Sequence, residues 1–407
     1  MLTEYDLENK IINDDGSVKA EDLKRECRGG VKASLRHIVY RLLMLGLEHD
    51  YTSERESRDV EIYDKLCEQV RSGYSQGQPI LYKTASGRQT DRPFDLLLEG
   101  FPEYFSSKNG NDACHDYVFI PDPKKSVSMS LVQDVAQTVH APTGRKTMDL
   151  DSSYTQPLID LEKGSTNICD ETRRNVKQIR KDVERISPQF KILKLNEEYD
   201  VDVSYIYENV LILYSELFQS TYMQGAESLM VPLIYNFVTY GCSSEKDLKK
   251  AEASAFLCYA VMIKGLKRDI EDNQATMISR IKTEMKAKEP AIYDHLFSDI
   301  EISLDGLLVR WLNCLFLQEF AFDDCLRIFD FMFSYEPQKL PRLLLYISVA
   351  IFGDYKDKFV HQDPNQCGCL ELIFAKGRPF TKGASPRDIE RIIKKARHYM
   401  EEEDHKN

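Results

Sequence analysis

A chain of 407 residues exceeds the roughly 250–300 residues at which one hydrophobic core stops growing, so two subdomains, or one elongated helical domain with inserts, are expected. Its 42% apolar and 29% charged residues are those of a globular protein, and 19 glycines with 15 prolines are too few for an all-β or disordered chain. The net charge of -12 is spread along the chain without a long Lys/Arg run, which repels phosphate backbones and argues against a nucleic-acid partner.

The amino terminus, MLTEYDLENK, is acidic and polar, so neither a signal peptide nor an anchor is expected there. The first helix is predicted in VKASLRHIVYRLLMLGL, where Val31, Leu35, Val39, Leu42 and Leu43 fall on one stripe and Gly46 offers a stop. From about residue 71 to 166 the periodicity fades, and GYSQGQP, SSKNGND, PDPKK and HAPTGRK supply turn chemistry at short intervals. This stretch reads as a loop-rich insertion onto which short pieces such as FDLLLEGF could dock.

Helical rhythm returns at Glu171 and persists through SYIYENVLILYSELFQ, GAESLMVPLIYNFV, AEASAFLCYAVMIKGL and DGLLVRWLNCLFLQEF, separated by short polar links. No strand-turn-strand pattern competes with it. The longest apolar run, LLLYISVAIF, falls far short of the roughly 20 residues of a membrane span. The last segment, SPRDIERIIKKARHYMEEE, is predicted as an amphipathic helix with Ser385 as N-cap, Pro386 in the first turn, and Asp388 and Glu390 near the positive end of its dipole.

Ten cysteines are scattered, several within apolar helical patterns, which suits reduced thiols in a cytoplasmic chain. Cys367 and Cys369 lack the second ligand pair of a zinc site and read as two free thiols. There is no H-E-x-x-H and no G-x-S-x-G. GRKT at Gly144 to Thr147 resembles the tail of a phosphate-binding loop, but Val139 stands where the upstream glycine belongs. No nucleotide, metal or cofactor site of the chain's own is expected.

Two short motifs remain. IRKDVERISP contains I-x-x-D-x-x-R as Ile179, Asp182 and Arg185, and STYMQGAESL contains Y-x-Q-G as Tyr222, Gln224 and Gly225. An Asp-x-x-Arg pair alone is ordinarily a solvated ion pair contributing under about 1 kcal/mol. Y-x-Q-G also occurs by chance at Tyr74 to Gly77, ahead of the arginine motif, so Gln76 is discounted. The two motifs in this order resemble the signature of the TBC domain of Rab GTPase-activating proteins. Further blocks follow the family's order: VKASLRHIVYRLLMLG with Leu35 and Arg36, then AEASAFLCYAVM, then a run carrying Arg310, Trp311, Glu319 and Phe320, then DDCLRIFDFMF with Asp330. The chain is most similar to the small stand-alone members, which consist of little besides the domain. It departs from the pattern at Tyr40 and Phe329, where the family usually has tryptophan, and at Ala226-Glu227, where Met-Asn or Met-Ser is common.

The resemblance implies an all-α, two-lobed, multi-helical domain over residues 30–355, after a leader at 1–29, with the insertion at 71–166 interrupting its N-terminal lobe. A C-terminal loop and helix occupy 356–407. It also implies a Rab-family GTPase in its GTP-bound form as partner, with GTP and Mg²⁺ belonging to that partner. Arg185 is then an arginine finger and Gln224 a glutamine finger that replaces the GTPase's own water-positioning residue. A guanidinium donates a fork of hydrogen bonds to phosphate oxygens as charge builds on them. Such a finger contributes about 10³ to 10⁵ in rate, or about 4 to 7 kcal/mol.

Asp182, three residues before Arg185, either orients the guanidinium or ties the finger segment to its neighbour. Tyr222 and Gly225 shape the turn that presents Gln224, and Ile179 supports the segment. Arg36 either reaches the GTPase or serves packing or capping, while Trp311 and Tyr214 read as core. A rival reading is a noncatalytic helical scaffold holding a GTPase or trafficking complex. Recruitment to endomembranes through partners fits either reading.

Overall fold

The computed structural model describes residues 1–13, 17–45, 53–76, 82–83, 89–90, 158–159, 168–192, 203–218, 222, 225–242, 245–270, 274–299, 301, 303–362, 381 and 383–405. FDLLLEGF, GRKT and the Cys367/Cys369 pair lie outside them. The architecture is all-α, as expected, and the chain divides into two compact units. The described residues of the first are those of Met1–Lys24 and those between Val31 and Val261, while the second holds Arg25–Gly30 and Met262–Asn407.

The first unit opens with α1 (Glu4–Asp6). Thr3 and Asp6 cap it reciprocally: the Thr3 backbone N–H donates to Asp6 Oδ2 at 3.2 Å and Asp6 N–H to Thr3 Oγ1 at 3.3 Å. A π turn, Leu7–Ile11, follows. Leu2 pairs with Val31, and Leu2, Leu7 and Ile11 are buried, so the segment expected as a leader is packed. Next come α2 (Ala20–Cys27), a 3₁₀ turn (Ala33–Leu35) and α3 (Arg36–Leu45), whose Val39, Tyr40, Leu42 and Leu43 are core. α4 (Ser53–Gln76) runs five residues past the point where the helical rhythm fades in the sequence. It is tied to α3 by Arg41, which lies 2.8 Å from Glu56 and 2.5 Å from Asp59.

Within the stretch read as loops, β1 (Tyr82–Lys83) and β2 (Gln89–Thr90) form a two-residue antiparallel pair, too small to alter the fold class. Leu158 and Ile159, near its end, are buried. The Leu158 amide donates to Asn209 Oδ1 at 2.8 Å and the Ile159 carbonyl accepts from Arg180 at 2.8 Å. Part of the predicted excursion is therefore core. These anchors come from distant residues, which local periodicity does not register.

α5 (Asp170–Ile192), α6 (Ser204–Leu217), α7 (Ala226–Gly241) and α8 (Glu245–Ile270) follow. α6 is buried on nearly every side, which explains its all-round apolar sequence. α5 packs on α6, and α7 packs on α3.

The second unit contains α9 (Gln274–Lys288), α10 (Pro290–Asp294), α11 (Asp305–Cys314), α12 (Phe322–Phe333), α13 (Leu340–Gln362) and α14 (Pro386–Asp404). The apolar rhythm of DGLLVRWLNCLFLQEF suggests one helix, yet α11 stops at Cys314 because Leu315 and Phe316 adopt left-handed backbone, φ 47° and 65°. Both are buried, and packing offsets the strain. Arg310 of α11 reaches across this turn to Glu319 at 2.6 Å. Trp311, Phe320, Phe329 and Asp330 are buried, so these family positions serve the core. Gly265 lies so close to Pro337 that any Cβ there would collide with the Pro337 carbonyl.

α14 begins as its sequence predicts, with Pro386 at its first position and the Ser385 N–H donating to Asp388 Oδ2 at 2.7 Å. It buries Ile389, Ile392, Ile393, Ala396 and Met400 and packs on α13. Arg342 clamps its end by donating to Glu403, Asp404 and the Met400 carbonyl. Among the described residues no helix is long and apolar enough to cross a membrane.

Candidate functional site

α5 presents two faces dictated by spacing. Asn175, Val176, Ile179, Asp182, Val183 and Ile186 are buried, and Lys177, Lys181 and Arg185 point outward. Ile179 is a core residue of this helix. Arg185 keeps 44% of its side chain exposed while a guanidinium nitrogen lies 2.9 Å from Asp182 Oδ1, and Asp182 is 0% exposed. The aspartate therefore holds one edge of the guanidinium from below and leaves the rest accessible.

Gln178 also donates to Asp182 Oδ1, at 3.0 Å, whereas Oδ2 meets no donor in full hydrogen-bonding geometry among the described residues. Burial raises the Asp182 pKa, opposed by the Gln178 bond, the Arg185 charge and the Tyr222 hydroxyl. A buried carboxylate so incompletely satisfied is costly, and here it sits beneath a candidate finger.

The second motif leads into α7. Gly225 precedes that helix with φ 105°, a left-handed conformation that glycine adopts without penalty. A Cβ there would meet nothing within 4 Å, so backbone conformation and not space demands glycine. The Tyr222 backbone N–H donates to Asn175 Oδ1 at 3.3 Å, joining the turn to α5. Its hydroxyl donates to Glu227 Oε2 at 2.7 Å, and the same oxygen accepts the Gly225 N–H at 2.9 Å. Glu227 is only 1% exposed. Burial raises its pKa, the Tyr222 hydrogen bond opposes the rise, and the nearby Asp182 charge adds to it. Burial likewise holds the Tyr222 phenol well above its ordinary pKa, with Glu227 and Asp182 reinforcing it.

The structure thus gathers Ile179, Asp182, Arg185, Tyr222 and Gly225, from two segments some forty residues apart, into one neighbourhood. Gln224 lies outside the described residues. Arg36, at 9% exposure in the first turn of α3, offers little of itself to a partner. Tyr214 and Trp311 are core, as their patterns suggest. Gln76 ends α4.

Two residues escaped the sequence reading. Asn175 lies on the buried face of α5 one turn before Ile179, a polar break in an apolar stripe. Glu227 was visible only as a departure from the family pattern, and its hydrogen bonds could not be read from spacing. Among the described residues no His, Cys, Asp and Glu cluster could hold a metal ion, and the described cysteines are free thiols.

The chain is 28% identical over 137 residues to TBC1 domain family member 13 of Homo sapiens, which covers 32% of this chain and 34% of that protein. It is 23% identical over 193 residues to GTPase-activating protein gyp1 of Schizosaccharomyces pombe, covering 44% of this chain and 36% of the relative. The match thus spans about a third of these relatives' length. The crystal structure of the Ypt/Rab-GAP domain of Gyp1p aligns with a TM-score of 0.59 over 96% of this chain and 95% of that one, at 14% identity, a likeness of fold. A family model described as the Rab-GTPase-TBC domain matches residues 147–360. That region includes both motifs and more than half of the 407 residues, and the chain belongs to the Rab-GTPase-TBC domain family.

Proposed function

We propose that this protein stimulates GTP hydrolysis by a Rab-family GTPase in its GTP-bound form, lending Arg185 and Gln224 to the partner's active site. The observation that carries the reading is the state of Arg185: exposed for nearly half its side chain, yet held at 2.9 Å by a fully buried carboxylate. A solvated surface pair has no reason to bury its aspartate, because desolvating that charge costs more than a surface bond returns. A group that must enter another protein's site already oriented does have that reason, since preorganisation lowers the cost of assembling the transition state.

In the complex, the guanidinium offsets charge developing on the phosphate oxygens. The Gln224 amide accepts from the attacking water and donates toward phosphate, a task requiring both polarities and no net charge. The nucleotide and Mg²⁺ belong to the GTPase, so this chain hydrolyses nothing alone. We place its action in the cytoplasm, at whichever membrane carries the partner. A panel of purified Rab proteins loaded with GTP, assayed for phosphate release with and without this protein, tests the reading. At least one should respond with a rate increase of about 10³ or more. Binding without acceleration across the panel would instead favour a scaffold.

A further inference from the structure

Glu227 sits in the first turn of α7, 1% exposed. Two of the bonds it makes bracket Gln224 in sequence: Oε2 accepts from the Tyr222 hydroxyl at 2.7 Å and from the Gly225 amide at 2.9 Å. A helix start requires partners for its first N–H groups, and an acidic side chain there also favours the helix dipole. Capping, however, explains only the bond to Gly225. The bond to Tyr222 reaches back across the turn to a residue whose own amide is held by Asn175 of α5, the helix that carries Arg185.

The placement is costly for stability alone. Glu227 is buried near a second buried carboxylate, Asp182, whose charge disfavours its ionised form. A serine or asparagine at this position would avoid that penalty. What a carboxylate adds is reach, with one oxygen serving both sides of the turn.

We propose that Glu227 is a positioning residue for Gln224, its carboxylate fixing Tyr222 and Gly225, the described residues that flank Gln224 in sequence. With Asp182 under Arg185, each finger segment then rests on a buried acid, and Asn175 joins the two segments. The catalytic consequence rests on the activator reading above, whereas the clamp itself does not.

The test has two arms on the full chain. In amide hydrogen exchange of the free protein, Glu227→Ala should accelerate exchange about 10-fold or more in the peptide spanning 222–229, leaving α6 and the 245–261 part of α8 protected. Glu227→Gln, which keeps an accepting oxygen, should restore the parental rate. Unchanged exchange in that peptide would overturn the clamp. If Glu227→Ala unfolds, Tyr222→Phe removes one of the two bonds and should give a smaller acceleration of the same peptide; no acceleration would again overturn it.

In the hydrolysis arm, Glu227→Ala should lower kcat about 10- to 100-fold with KM within a factor of about two, since misplacing a catalytic group by an ångström costs that much. It should add little in a Gln224→Ala background, and Glu227→Gln should recover most of the activity. Parental kcat from Glu227→Ala, or full additivity with Gln224→Ala, would overturn the positioning role. A parent chain that stimulates no GTPase defeats the activator reading but leaves the exchange result to judge the clamp.

Discussion

Two sets of buried carboxylates in the first unit are built on opposite terms. Glu252 of α8, 2% exposed, accepts from Tyr63 at 2.6 Å and Asn209 at 3.1 Å, with Lys249 at 3.9 Å. Asn209 in turn accepts from the Leu158 amide. The network thus links α4, α6, α8 and the 158–159 segment, and the carboxylate oxygens of Glu252 have partners. Asp182 and Glu227 lie near each other, and among the described residues no buried cation pairs with either. Arg185 is turned half to solvent, Asp182 Oδ2 meets no donor in full hydrogen-bonding geometry among the described residues, and both acids have raised pKa values. A satisfied network specifies a fold. A partly satisfied one beneath an exposed arginine stores cost where function can use it.

The sharpest way to break the comparison is at Arg185. Arg185→Ala and Arg185→Lys should each lose about 10³ or more of the stimulated rate, because a point charge cannot replace the fork. For Arg185→Lys melting should change little, since a cation stays beside the buried Asp182. A lysine variant with parental rates, or one that melts far lower, would make Asp182 and Arg185 a structural pair like the Glu252 network.

Gln224→Ala should be nearly as damaging, about 10² or more in rate. A partner whose own switch glutamine is replaced by alanine should still respond. Gln76→Ala, in the other Y-x-Q-G match, should leave the rate unchanged; an essential Gln76 would move the site to α4.

At Glu252 the expected effect lies in stability instead. Glu252→Ala leaves the Tyr63 hydroxyl and the Asn209 amide without their shared acceptor, at about 1–3 kcal/mol for each unsatisfied group. A lower thermal midpoint with near-parental kcat for the remaining folded protein is expected. A loss of kcat without a loss of stability would erase the distinction between the two sets.

The smallest effect is a pH dependence. Because the Glu227 pKa is raised in the fold from its ordinary 4.5, the folded state holds that proton more tightly than the unfolded chain. The resulting stability is fully present below 4.5 and is lost as pH rises through the folded value. Glu227→Gln removes the titration, so its thermal midpoint relative to the parent should climb over that window and then level off. Asp388 at the start of α14 has the opposite sign. Its pKa is lowered, chiefly by the Ser385 backbone hydrogen bond, so Asp388→Asn should cost stability near neutrality and converge with the parent as pH falls through the lowered value. Parallel curves for Glu227→Gln and parent would mean that Glu227 is not under the stress assigned to it.

Local spacing by itself determined much of this protein. The apolar stripes of α3, α5 and α6 specify which faces are buried and Ser385-Pro386 marks the start of α14, because periodicity and caps act over a few residues, while the order of Ile179, Asp182, Arg185, Tyr222, Gln224 and Gly225 carries the resemblance to the family's signature. Only the tertiary structure decided what depends on residues far apart: that Leu158 and Ile159 within the loop-rich stretch are core through Asn209 and Arg180, that the apolar run after α11 breaks at Leu315 and Phe316, that Asp182 is buried while Arg185 is not, and that Glu227 and Asn175 hold the turn beside α5. Burial and hydrogen bonding between distant segments arise only when the chain closes on itself, and a carboxylate in a list of residues looks the same whether water or a tyrosine hydroxyl will face it.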